Sequence, residues 1–550
     1  MSKKLADLLF PDISVSTDKI FSKYPKRQLP EGAMVTRIAP SPTGQLHIGT
    51  LYAAFISWRL AKQSNGVFYI RIEDTDGARE VKGVAESIIA QLNACGIAGD
   101  EGCQRDGSQA GDYGPYVQSE RRAIYQIFAK DAVSKGLAYP CFCDKNALDS
   151  IRATQKEQKI DIGYYGSFAQ CCALSLDNIK GKLRQGMPYV IRFKSNASEE
   201  QVVYDDLFKG RLEFPAERND TVIIKADGLP TYHFAHCVDD TLMGTTHVLR
   251  GDEWVASLPL HRQLFQAMGF PQPVYGHIAP IVKMEGTTKR KYSKRRDLDG
   301  LASYFLQKGY PLDALHEYFL TLANSTFEEW RIAHPAADRF DYPIDIKRFS
   351  ASGAILDQDK LRDICKNIIA AYSTDSIFER LYRWAEEYDR ELFDLLHDTQ
   401  YAKAILSIGR NQPKPRKDID LYSNIKNIFG YFFDDLFAKE SSTALKPDSV
   451  HTEAAAALIN RYLLSYDHGD DKACWFDKLK STAADSGFCI DKKTYQANRE
   501  AYQGTITDAA ALIRIALTNR MDSPDLYDVQ QVMGEERVRS RLEKYLHDIG

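Results

Sequence analysis

Residues 34–50 read MVTRIAPSPTGQLHIGT and set His47 two positions ahead of Gly49, where a short apolar run gives way to a helical pattern. Free N–H groups and the positive end of a helix dipole would then face an anion above the carboxyl end of the preceding strand. His47 adds a donor at that point, and Gly49 lets a nucleotide lie against bare backbone. Far downstream, residues 289–296 read KRKYSKRR, six basic positions in eight, after Gly286, Thr287 and Thr288. A run of that kind is ordinarily a solvated face. Opposite a nucleotide it would offset the charge that gathers on pyrophosphate as a carboxylate attacks the α-phosphate of ATP. The chain has no G-x-x-x-x-G-K-[ST], and its first loop is not G-x-G-x-x-G, which leaves kinase-like and dinucleotide readings without support.

Taken together, SPTGQLHIGT and Lys291-Tyr292-Ser293-Lys294-Arg295, of the form Lys-x-Ser-Lys-Arg, resemble the two signature motifs of class I aminoacyl-tRNA synthetases. With RIEDTD at 71–76 the wording is similar to the glutamyl-tRNA synthetase family, densely from Met34 to about Leu361 and diffusely beyond. The resemblance implies ATP with magnesium, held by Thr43, Gly44, His47, Gly49, Thr50, Lys291, Ser293, Lys294 and Arg295, with His47 and Lys294 as the catalytic pair. Thr50 departs from the pattern, since a second histidine is expected there. Glutamate would contact Arg37, Ala39, Ser41, Glu73, Tyr232 and Arg250, because a dianion with one ammonium needs guanidinium forks and an acidic partner. The implied reaction joins glutamate to the 3′-terminal adenosine of tRNA(Glu) through a glutamyl-adenylate. Charging of tRNA(Gln) as well, or a tRNA-binding or tRNA-modifying paralogue, stays open as an alternative.

These residues need a frame. Strand, helix and strand alternate from Met34: a strand to Ala39, a helix over Leu51–Lys62, a strand over Val67–Ile72 and a helix over Val84–Ala94. That order predicts an α/β, doubly wound parallel (Rossmann-like) sheet with its site at the strand carboxyl ends. Residues 127–220 change texture and read as an α+β insertion, where the tRNA acceptor end would be held. The sheet is expected to resume with strands at Thr221–Ala226, Thr231–Ala235 and Thr246–Leu249. We expect 1–33 as an N-terminal extension, 34–126 and 221–299 as the two catalytic halves, 300–345 as a linking helical segment, and 346–550 as an α-helical anticodon-binding domain with long helices at 452–466, 492–518 and 534–547. Ala6–Phe10 is either a docked amphipathic helix or part of an unstructured tail.

Cys141 and Cys143 form Cys-x-Cys, and Cys171-Cys172 follows Tyr164-Tyr165. Some glutamyl enzymes carry a zinc site in this region, but Phe168 stands where the next cysteine would fall. Free thiols are therefore the expectation, with zinc on Cys141, Cys143 and Cys171 the alternative. In the helical half, Arg410, Lys414, Arg416 and Lys417 lie in a Pro-rich loop suited to splayed anticodon bases, or else to a linker. Composition excludes other classes. At 44% hydrophobic and 27% charged with net charge −4, the chain of 550 residues has no membrane-spanning run and no whole-chain attraction for nucleic acid. The first residues lack a secretory core, so a cytoplasmic monomer is expected.

Overall fold

The computed structural model describes residues 2–549 apart from 78, 198–199, 293–295, 351–352, 441–445 and 448–449. Ser293, Lys294 and Arg295 of the second motif therefore lie outside the described residues. The chain divides into two compact units, one of residues 1–306 with 316–357 and the other of 307–315 with 358–550.

In the first unit, helices α1 (Ser2–Leu9) and α2 (Thr17–Lys23) precede the sheet. Ala6, Leu9, Phe10 and Ile20 are buried in one core with Phe128, Ala132 and Phe265, so this extension is part of the fold and the tail alternative falls. Strand β1 (Val35–Ile38) leads into α3 (Ile48–Gln63), then β2 (Val67–Ile70), α4 (Val84–Ala94), β3 (Glu101–Cys103) and β4 (Gln109–Ala110). β1, β2 and β3 run parallel and β4 is antiparallel to β3. All four residues of β1 are buried, as expected of a parallel strand covered on both faces.

Helix α5 (Arg122–Ser134) opens a different layout. Strands β5 (Ala138–Cys141), β6 (Val190–Phe193) and β9 (Val222–Ile224) form an antiparallel sheet, with α6 (Lys145–Glu157) and α7 (Leu176–Arg184) between β5 and β6. Between β6 and β9, β7 (Gln201–Asp206) and β8 (Gly210–Pro215) make a hairpin. Along β7 burial alternates, and Val202, Tyr204 and Asp206 face inward. Two strand expectations are corrected here. The segment at 221–226 pairs with β6 and not with the main sheet, and Thr231–Ala235 is the start of a helix, α8 (Tyr232–Leu242). The β-prone residues Thr231, Tyr232 and Phe234 favour a strand locally, but burial runs unbroken from Phe234 to Asp240 and returns at Leu242, a stretch whose length suits a helix buried nearly all round and not a single strand.

Next come β10 (His247–Gly251), α9 (Leu258–Met268) and β11 (Val274–Ile278), the two strands forming a parallel sheet of their own, paired Arg250 to His277. Thr246 donates its N–H to the Val35 carbonyl at 3.0 Å, which seats β10 beside β1. The hairpin β12 (Val282–Glu285) and β13 (Thr288–Lys291) then carries Lys289, Arg290 and Lys291 of the basic run.

The second unit is helical. Trp384, Phe432, Tyr462, Trp475 and Leu517 lie in its core, where the Trp475 indole donates to the Tyr462 hydroxyl at 2.8 Å. The expected helix at 452–466 is Thr452–Ser465, and that at 534–547 is Glu535–Ile549. The span 492–518 divides into Lys492–Ala497 and Ile506–Thr518. Gly504 at φ +148° breaks it, and Thr505 with Asp508 closes a capping box on the second helix.

Candidate active site

One cleft of about 430 Å³ opens at the carboxyl ends of β1, β2 and β10. It is lined by Arg37, Ala39, Ser41, Thr43, Gly44, His47, Gly49 and Thr50 from the first motif, by Glu73 after β2, by Tyr232 and Arg250, and by Lys291 and Tyr292 of the basic hairpin. Every candidate ATP or glutamate residue among the described residues thus faces a single space.

At one end His47 is the N-cap of α3, its Nδ1 accepting from the Gly49 N–H at 3.3 Å. One of the helix-start donors is therefore taken by the motif's own histidine. The His47 ring lies 5.7 Å from the Tyr292 ring, and a Cβ on Gly300 would stand 3.0 Å from His47 Nε2 and 2.5 Å from the Tyr292 ring. Only glycine fits that approach, so the loop after the basic motif closes directly on the first motif. The hairpin is cross-braced at its base. Arg290 forks onto Asp297 at 2.8 and 2.9 Å, Lys283 reaches the same carboxylate at 3.0 Å, and Lys291 pairs with Glu253 at 3.1 Å in an exposed ion pair. The basic run is thus partly neutralised by acids that its own spacing did not reveal.

At the other end, six charged groups gather on and beneath the cleft floor, all but the half-buried Glu73 in the interior. Arg71 donates to Asp240 at 2.6 Å and to Glu73 at 3.0 Å, and Arg121 donates to Asp239 at 2.7 Å. Arg37 reaches Asp240 only through Nε, at 3.4 Å, which leaves the outer edge of its guanidinium to the cleft. Burial opposes ionisation of Asp240, but Arg71 and Arg37 outweigh it and hold the carboxyl well below the ordinary range. For Glu73 burial wins: it lifts the carboxyl above its ordinary value against the pull of Arg71 and Arg37. Three arginines face three carboxylates, which is how a site can keep charges out of water at tolerable cost.

Arg250 is engaged on every nitrogen. Its Nε donates to His277 Nε2 at 3.1 Å, Nη1 to the Tyr232 hydroxyl at 3.0 Å, and Nη2 to the Trp254 carbonyl at 3.3 Å. Trp254 lies 4.3 Å from the Tyr232 ring. Burial pushes His233 down to about 4 and His236 to about 3, and lowers His261 and His277, with the Arg250 charge adding to each. Sequence reasoning missed Asp240, Glu253, Trp254, His261 and His277, because each reads alone as a core or surface residue.

In the antiparallel layer the Sγ atoms of Cys141, Cys143 and Cys171 all lie within 4.8 Å of one another, and the Tyr164 hydroxyl is 3.3 Å from Cys143 Sγ. The apparent displacement of the second half is a matter of sequence, not of space. Two short 3₁₀ turns, Gly166–Phe168 and Gln170–Ala173, carry Cys171 back, while Phe168 packs edge-on against Tyr165. Cys141 is held well below the usual thiol range, first by a hydrogen bond from Cys171 and further by donors on Tyr164 and Arg192. Three sulfurs at this spacing match three of the four ligands of a tetrahedral zinc.

In the second unit, Arg410 is occupied by the carbonyls of Ile369, Tyr372 and Leu406, and Arg416 pairs with Asp418 and covers the Phe429 ring. Lys414 and Lys417 of the same loop are exposed.

Residues 33–363 match the model described as tRNA synthetases class I (E and Q), catalytic domain, and 494–546 match an anticodon binding domain. A class I synthetase catalytic domain is thus what the parallel sheet, the capped turn and the facing basic hairpin amount to. Glutamate--tRNA ligase of Clostridium perfringens (strain SM101 / Type A) is 45% identical over 547 residues, 99% of each chain. That of Acetivibrio thermocellus is 46% identical over 551 residues, 99% of this chain and 100% of the relative. A crystal structure of the Elizabethkingia anophelis enzyme superposes with a TM-score of 0.71 at 26% identity, covering 94% of this chain and all of that one. The chain belongs to the glutamate--tRNA ligase family.

Proposed function

We propose that this chain ligates glutamate to the 3′-terminal adenosine of tRNA(Glu) in two steps. A glutamate carboxylate oxygen attacks the α-phosphorus of ATP, and the bond to the departing pyrophosphate breaks, leaving glutamyl-adenylate. A ribose hydroxyl of the terminal adenosine then attacks the acyl carbon, AMP leaves, and the ester forms. Magnesium supplies charge neutralisation on the phosphates when bound with ATP, as in class I synthetases generally. The carrying observation is that one cleft holds the His47–Gly49 turn and Lys291 at one end and Arg37, Glu73, Tyr232 and Arg250 at the other. The open edge of Arg37 and Arg250 suit the two carboxylates of glutamate, and Glu73 suits its ammonium. Nothing in this arrangement needs a covalent enzyme intermediate; orientation and charge stabilisation carry the chemistry.

Lys294, by its place in the motif, neutralises charge on the pyrophosphate. Lys294→Ala should abolish glutamate-dependent ATP–pyrophosphate exchange measured with tRNA present while tRNA binding stays nearly intact. Exchange that persists would reassign the basic hairpin. A structural zinc would be held by Cys141, Cys143, Cys171 and Tyr164. Metal analysis of the purified protein should give one zinc per chain, falling away in Cys171→Ser, and a stoichiometry near zero returns the three cysteines to free thiols. No helix among the described residues is long and apolar enough to cross a membrane, which fits work beside soluble tRNA in the cytoplasm.

A further inference from the structure

Behind Arg250, away from the cleft, the structure holds a chain of buried polar groups that the reaction as described does not use. His277 sits opposite Arg250 in the β10–β11 register. Its Nε2 accepts from Arg250 Nε at 3.1 Å, and its Nδ1 lies 2.5 Å from Asp206 Oδ2. Asp206 also accepts the His277 backbone N–H at 3.1 Å through its other oxygen. All three side chains are at least nine-tenths buried. Asp206 belongs to the β7–β8 hairpin, whose closure on the sheet is tight: Leu207 donates to the Tyr275 carbonyl at 2.8 Å, and a Cβ on Gly276 would meet the Phe208 ring at 2.7 Å.

The donors and acceptors allow one arrangement. An arginine Nε carries a hydrogen and can only donate, so His277 Nε2 must be bare and its proton must sit on Nδ1, pointing at the Asp206 carboxylate. A carboxylate in that position fixes both the tautomer and the ring plane, as it does for histidines that serve metals or nucleophiles. The fixed imidazole in turn fixes the rotation of the guanidinium about its last bonds. We propose that Asp206 and His277 are positioning residues that set the Arg250 guanidinium for the substrate carboxylate, so that the hairpin helps select glutamate without entering the cleft. This rests on the reading of Arg250 as a glutamate-binding group.

Steady-state kinetics on the full-length protein with tRNA test it. His277→Phe removes the acceptor and should raise the KM for glutamate by about 10-fold or more, as loss of the group behind a metal ligand does, with the KM for ATP little changed. The melting temperature should fall, because Asp206 and Arg250 Nε each lose a buried partner, so the split between the two KM values is the readout. His277→Gln places an amide oxygen where Nε2 stood and should recover most of the loss. In an Arg250→Ala background His277→Phe should cost nothing further, because the guanidinium it supports is already gone. Asp206 also accepts from the backbone of its own turn, at Phe208 and Lys209, so the His277 variants carry the test if Asp206→Ala does not fold. An unchanged KM for glutamate in His277→Phe, equal losses for glutamate and ATP, or additive losses with Arg250→Ala would overturn the positioning role. An unchanged KM for glutamate in Arg250→Ala itself would instead overturn the glutamate reading of Arg250.

Discussion

Glu73 shows how a single carboxylate can be placed between two demands. In the ammonium-binding role proposed for it, Glu73 must be ionised, yet burial lifts its protonation above the ordinary carboxylate value. Proton binding to Glu73 and glutamate binding therefore compete, and the KM for glutamate should be flat near neutrality and climb as pH falls toward the acid range. The climb should approach tenfold per pH unit once the carboxyl is mostly protonated, and Glu73→Gln should have a high KM that no longer depends on pH there. The histidines near Arg250 act in the same direction on stability. Their protonation is depressed in the folded state, so their contribution is full above about pH 6.5, the unfolded value, and is lost as pH falls below it. Melting temperatures recorded alongside the kinetics separate the two effects. A KM that stayed level to the edge of unfolding would remove Glu73 from the ammonium site.

The elements that frame the cleft were legible in unequal measure. The strand–helix order from Met34 located β1, α3, β2 and α4, because strands covered on both faces read as short continuous apolar runs and the helices between them as longer ones, separated by Pro, Gly and acidic turns. Segment 231–242 misled, since its first residues are β-prone and the helix is buried nearly all round, which leaves no helical alternation to read. Of the site, the first motif, Lys291 and the glutamate candidates were picked out by their likeness to family wording, and the fold brings them to one cleft. The partners of Arg250 could not, since His277 and Asp206 become neighbours only through strand register and a hairpin fold. The one trace of Asp206 is period two in VVYDD, which turns an acid toward the core after Val202 and Tyr204. Of the N-terminal helices the sequence offered only Ala6–Phe10, as one of two readings, and gave no sign of the helix at Thr17–Lys23. Their role is packing: Leu9 is 6% exposed in the core shared with α5, and Leu9→Ala should lower unfolding stability by about 2–4 kcal/mol. Denaturant titration gives the value, and a loss under about 0.5 kcal/mol, the range of ordinary surface changes, would mean the extension is only loosely attached.

Across the whole molecule the two units divide the labour implied by the family. The first carries the cleft and the thiol cluster, and the second carries the segment that matches an anticodon-binding domain. Whole-chain charge is −4, so attraction to tRNA must come from local cations. The cations that the 410–417 loop has left to offer such an interface are Lys414 and Lys417, because Arg410 and Arg416 are spent on backbone carbonyls and on Asp418. Replacing both lysines by Ala should weaken tRNA binding and reduce the slope of log K against log salt by about one to two, one step for each phosphate left without its lysine. An unaltered slope would place the loop outside the RNA interface.

The charged set of Arg37, Arg71, Arg121, Glu73, Asp239 and Asp240 balances to zero only as a group. Removing one member strands a partner at a cost of about 3–5 kcal/mol, so none of these positions is free to drift alone. Over evolutionary time, change beneath the cleft would have to arrive in matched steps, an acid and a base exchanged together, and lineages that vary here should carry paired substitutions where the neighbouring surface carries single ones.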